Sequence, residues 1–133
     1  MPNNAKDVSK IVSLLSAHQD CSFAIKGNTH APAAGFANID GGVTIDMTGL
    51  GSMSLNADKS IVSIGSGTNW LAVYAFLDPY NRTVAGGRNG LVGAGGLILG
   101  GGISHYAARE GFACDNVVNF EVGLRHLCYK LTK

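Results

Sequence analysis

The sequence predicts a single domain of the α+β class, on three observations. Short segments with apolar alternation interleave with segments whose apolar residues recur at helical spacing. Two of the short segments flank Asn56-Ala57-Asp58-Lys59 as a hairpin would, which argues against an all-parallel sheet. Glycine supplies 19 of 133 residues with only 3 prolines and no G-x-y period, so the glycines serve local corners and close approaches and not a fibre.

Taken in order, Val8, Ile11, Val12 and Leu15 line one face of a first helix, with Asn4 or Asp7 placed to cap it. Ser22 to Lys26 follows as a short strand with Phe23 and Ile25 on one face. Gly27 to Gly42, rich in Gly, Asn, Ala and Pro, is a loop, and Val43 to Met47 alternates as a second strand. Ser52 to Leu55 and Ile61 to Ile64 form the hairpin. Asn69 to Leu77 is a helix carrying Trp70, Val73, Tyr74 and Leu77. A second Gly-rich region spans Gly86 to Gly102, with Leu97, Ile98 and Leu99 expected to anchor it in the core. Val117 to Leu124 is expected as the final strand. The last ten residues show no clear period and are expected to be a tail.

Charged residues are 14% of the chain and hydrophobic ones 46%, which excludes intrinsic disorder. A formal net charge of +1 provides no field to recruit nucleic acid or an anionic membrane. The three cysteines, Cys21, Cys114 and Cys128, are far apart and match no disulfide or zinc pattern. The segment MPNNAKDVSK has no apolar signal-peptide core, and the uncharged run Leu91 to Tyr106 is too short and Gly-broken to span a membrane. A reduced, cytoplasmic setting is the resulting expectation, and the sequon Asn81-Arg82-Thr83 is then a chance match.

Two Gly-rich stretches could carry chemistry. Gly65-Ser66-Gly67-Thr68-Asn69-Trp70 follows a strand and opens a helix, but its third glycine position is Trp70 and no acidic residue follows about 20 positions on. It reads as a strand–turn–helix corner and not a Rossmann fingerprint. Gly90 to Gly102 is denser: it either lets backbone N–H groups approach an anion or packs tight corners between elements. His30, in Gly27-Asn28-Thr29-His30-Ala31-Pro32, is by itself an ordinary loop histidine.

Three blocks, FAIKGNTHAPAAGFANIDGGVTIDM, TVAGGRNGLVGAGGLILGGGISHY and REGFACDNVVNFEV, together resemble the FAD-binding domain of the vanillyl-alcohol oxidase and p-cresol methylhydroxylase superfamily. The resemblance is nearest to fungal berberine-bridge-enzyme-like FAD-linked oxidoreductases and runs from about Val8 to Val122. It implies a two-lobed, Gly-rich FAD-binding domain of mixed short strands and helices over residues 1–123, a divergent tail over 124–133, and no substrate domain. It assigns Lys26, Gly27, Asn28, Thr29 and His30 to the loop around the pyrophosphate, with His30 as the residue that can tether the flavin covalently. Asn28 and Thr29 fall where the family pattern has glycine, and Asn89 falls where some relatives carry a second, cysteine tether. Gly93, Gly95 and Gly96 match a further pyrophosphate and ribityl contact, Ser104, His105 and Tyr106 lie near the flavin, and Asp115 and Val117 pass the adenine end.

The resemblance implies a flavin that takes a hydride from a substrate carbon and is reoxidised by oxygen, while the protein binds and orients it. No substrate base maps onto this chain. The alternatives are a non-catalytic fragment, truncated or split, whose missing strands come from a partner chain, and a small-molecule binder that works without flavin.

Overall fold

The computed structural model describes residues 1–18, 20–124 and 128–132. Helix α1 spans Ala5–Ala17. Both candidate caps act at its start: the Asn4 side chain accepts the Asp7 N–H at 2.9 Å, and the Asp7 carboxylate accepts the Asn3 N–H at 3.0 Å. Strand β1, Phe23–Lys26, pairs in parallel with β2, Val43–Asp46, across the long loop, with Ile25 opposite Ile45. A 3₁₀ turn, Met47–Gly49, then leads into the hairpin of β3, Met53–Leu55, and β4, Val62–Ile64. The hairpin is antiparallel, as its turn residues predict.

Helix α2, Trp70–Leu77, is capped by the Asn69 side chain, which accepts the Ala72 N–H at 2.9 Å. It carries the core: Trp70, Val73 and Leu77 are buried together with Val92 and Ala94, and Met53, Leu55, Val62 and Ile64 of the hairpin pack against them. The second Gly-rich segment is bonded along the start of α2. Trp70 and Leu71 donate their N–H to Val92 and Gly90 at 3.1 and 2.8 Å, and Ala94 donates to Thr68 at 2.8 Å. Gly86 lies flat on the Trp70 ring, where an added Cβ would overlap ring carbons and stand 2.8 Å from the Tyr74 hydroxyl.

Helix α3, Ala94–Leu99, lies inside the second Gly-rich region. Leu97 and Ile98 pack on the core as expected, whereas Leu99 is 83% exposed. In a helix only six residues long the third of three consecutive apolar side chains turns about 100° per residue away from the buried face. A short α4, Ala107–Glu110, and a 3₁₀ turn, Ala113–Asn116, follow. The chain doubles back at Gly101–Gly102: Ala113 and Cys114 donate to the carbonyls of Gly102 and Gly101 at 2.8 and 3.0 Å. Gly102, at φ +78° with Ala113 Cβ only 2.7 Å from any added Cβ, admits no side chain there.

Strand β5 begins at Asn119, two residues later than expected, and runs to Gly123. It is not the last strand. Cys128–Thr132 forms β6, antiparallel to β5, in the stretch read as a tail. Backbone pairing, together with an Asn119–Thr132 side-chain hydrogen bond of 3.0 Å, supplies the order that no apolar period announces. Helix α1 packs on this ladder, with Ser9 Oγ donating to the Leu124 carbonyl at 2.7 Å. Each of the three ladders has two strands. No described helix is long and apolar enough to cross a membrane.

Candidate functional site

Three turns from distant parts of the chain meet at one place: Gly27–Asn28 after β1, Gly65–Thr68 after β4, and Gly93–Gly96 at the start of α3. A Cβ on Gly93 would stand 3.2 Å from both the backbone N and the Oδ1 of Asn28. A Cβ on Gly95 would stand 3.2 Å from the Ser66 carbonyl oxygen, and one on Gly27 would stand 3.9 Å from the same atom. Asn69 and Gly93 form an isolated backbone bridge beside them. Around Gly96, by contrast, nothing lies within 4 Å, so the concavity is open on that side.

Among the described residues, the backbone N–H groups of Asn28, Thr29, Gly95 and Gly96 carry no hydrogen bond. Gly95 and Gly96 lie in the first helical turn, where N–H groups lack intrahelical partners. Asn28 Oδ1 and Thr68 Oγ1 are buried without any partner. Unsatisfied buried groups cost about 1–3 kcal/mol each, which marks the spot as built for a polar guest. Thr29 holds φ at +57°, a costly conformation for a β-branched residue and one that concentrates at ligand clamps. Free N–H donors, glycines without Cβ cover and no carboxylate in the cradle suit the phosphates of a nucleotide cofactor.

The remaining sequence-predicted residues take other positions. The Lys26 ammonium is 3.1 Å from the Asp46 carboxylate and is spent on tying the ends of β1 and β2 together at the root of the loop. Asp46 also accepts from the Thr48 hydroxyl and N–H at 2.7 and 3.0 Å. These Thr48 bonds, with Lys26 adding a smaller part, hold its carboxyl at about 2. A depressed carboxyl favours the fold above the unfolded value near 3.9 and loses that contribution as pH falls through about 2. An NMR titration of Asp46 should therefore show a midpoint about 2, moving towards the ordinary carboxylate range in Thr48→Val.

The Thr29 and His30 side chains are exposed. Ser104 follows α3 in the chain, and Asp115 sits on the 3₁₀ turn that packs against α3, with Val117 just after it. Ser104 is 5% exposed and accepts the Tyr106 N–H at 3.1 Å. Asp115 caps its 3₁₀ turn by accepting the Phe112 N–H at 2.8 Å, and Val117 is half-buried just after it. Sequence reasoning missed Ser66 and Thr68 as part of the site. Their corner matched no phosphate motif, and only the fold sets it beside Gly27 and Gly95.

The turns offer free N–H donors of the kind an anion takes. Over residues 1–125 the sequence matches the FAD binding domain family, and the chain belongs to that family. It is similar to the FAD-dependent monooxygenase FUP4 of Fusarium proliferatum, 46% identical over 120 residues, which are 90% of this chain and 23% of that protein. The FAD-dependent monooxygenase tpcD of Cochliobolus heterostrophus is 43% identical over 119 residues, again 90% and 23%. Among solved structures, the fold resembles glucooligosaccharide oxidase from Acremonium strictum, with a TM-score of 0.84 at 22% identity over 98% of this chain and 28% of that one. That oxidase carries a cysteinyl, histidyl FAD. The chain thus spans about a quarter of the length of the curated relatives it matches.

Proposed function

We propose that this chain is the cofactor-binding part of an FAD-linked oxidoreductase, with the cradle at Gly27–Thr29, Ser66–Thr68 and Gly93–Gly96 holding the pyrophosphate. The observation that carries this is the meeting of Asn28 and Gly93, which brings the turn bearing the free Asn28 and Thr29 N–H groups against the turn bearing those of Gly95 and Gly96. When bound, FAD supplies hydride acceptance. The chain's own residues bind and orient. The N–H groups neutralise phosphate charge, the Lys26–Asp46 pair fixes the root of the loop, and Asp115 and Val117, on and just after the turn packed against α3, are assigned to the adenine end.

The substrate, and the acid or base acting on it, belong to protein outside these residues, in the same polypeptide or in a partner chain. Phe36, Leu91 and Leu99 are 75%, 70% and 83% exposed, a pattern that favours such a covering module. On this reading the chain alone shows no turnover. Equilibrium dialysis should show FAD retained in preference to FMN, because FMN lacks the second phosphate and the adenosine. Equal failure of both flavins would remove the reading.

Any covalent attachment runs through His30, since Asn89 stands where the second tether of some relatives would be. FAD bound by the chain should then stay with the acid-precipitated protein and be released from His30→Ala. Flavin that stays attached to that variant would refute the assignment.

A further inference from the structure

A second cleft, of about 230 Å³, shares no residue with the cradle, although Ser104, His105 and Tyr106 are the residues the family resemblance sets near the flavin; it is lined by these three with Tyr74, Thr83, Gly87 and Arg88. No carboxylate lines it. Arg88 and His105 have no ion-pair or hydrogen-bond partner among the described residues. The nearby Arg109 guanidinium, 5.7 Å from the centre of the Tyr106 ring, is paired with Glu110 and adds no net charge. Ser104 is the buried polar group of the wall. Its oxygen accepts the Tyr106 N–H, which leaves the hydroxyl proton free to donate. Tyr74 serves as wall only, because its hydroxyl donates to the Gly87 carbonyl at 2.7 Å and burial, then Tyr106, raises its pKa and keeps it protonated.

We propose that this cleft binds a small aromatic carboxylate, anchored by the Arg88 guanidinium and bonded by His105 and Ser104, with its ring between Tyr74 and Tyr106. A planar guanidinium meets a carboxylate through two parallel bonds, which a neutral amide cannot reproduce. The volume lies below the ~300–1,000 Å³ of pockets for drug-sized ligands, so a single-ring acid is the right scale.

The test is an amide NMR titration of the chain with benzoate, using benzamide as the neutral control. Benzoate should shift Gly87, Arg88, Ser104, His105 and Tyr106 saturably, and benzamide should not. Arg88→Gln should weaken benzoate about tenfold, the loss of one charge-assisted contact. Arg88 and His105 are exposed, so Arg88→Gln and His105→Gln should leave the rest of the spectrum in place. Equal effects of benzoate and benzamide, or an unchanged affinity in Arg88→Gln, would overturn the proposal. So would competition by FAD at these residues, which would make the cleft part of the cofactor site.

Discussion

Trp70→Ala should bring the chain to the edge of unfolding. The indole is 2% exposed and sits between the helix that bears it and the Gly86–Gly87 strip, stacked at 6.0 Å on Tyr74. Truncating such a ring costs about 3–5 kcal/mol, against a whole-domain stability of about 5–15 kcal/mol. The two glycines cannot close the void, because their backbone is already held against the ring and Gly86 donates to the Val84 carbonyl. Leu71→Ala on the opposite face, where Leu71 is 58% exposed, should be near neutral. Urea melts of both variants decide the matter. A loss under about 1 kcal/mol in Trp70→Ala would show that this cluster is not the core.

Gly86→Ala approaches the same contact from the other side and should destabilise through overpacking, by about 1–3 kcal/mol. The paired result would separate the two roles of the strip. A void in Trp70→Ala removes packing, whereas an added methyl displaces the ring and with it the Tyr74–Gly87 hydrogen bond that shapes the second cleft.

Local chemistry made part of this fold legible. The hairpin, the Asn69-capped helix and the first helix all follow from caps, turn residues and period. The misses have a common physical origin. Helix α3 was hidden because glycines weaken the helical signal, and its backbone is held instead by bonds to Thr68 and Gly93. Strand β6 was hidden because ladder pairing with β5 needs no amphipathic period. The cradle was half legible: Gly90 to Gly102 announced an anion site or a tight corner, and the close approach of Gly93 to Asn28 shows a tight corner while leaving N–H groups without partners. Ser66 and Thr68 joined it only through tertiary contact, which no spacing along the chain encodes.

Gly96→Val should abolish FAD retention while leaving the fold intact. Nothing lies within 4 Å of a Cβ at Gly96, so the new side chain enters open space beside the free Gly95 and Gly96 N–H groups. Gly95→Val differs: its Cβ would press on the Ser66 carbonyl at 3.2 Å, so it should lose both cofactor and some stability. Losing two charge-assisted phosphate contacts, at about 1.5–3 kcal/mol each, weakens binding roughly 100-fold or more. Urea midpoint and FAD dissociation constant, measured together, distinguish the cases. A Gly96→Val chain that melts like the parent and keeps FAD would place the pyrophosphate elsewhere. A chain that loses both would mean that the helix start is structural only. Loss of FAD with an unchanged melt is the outcome that an N–H cradle open at Gly96 requires.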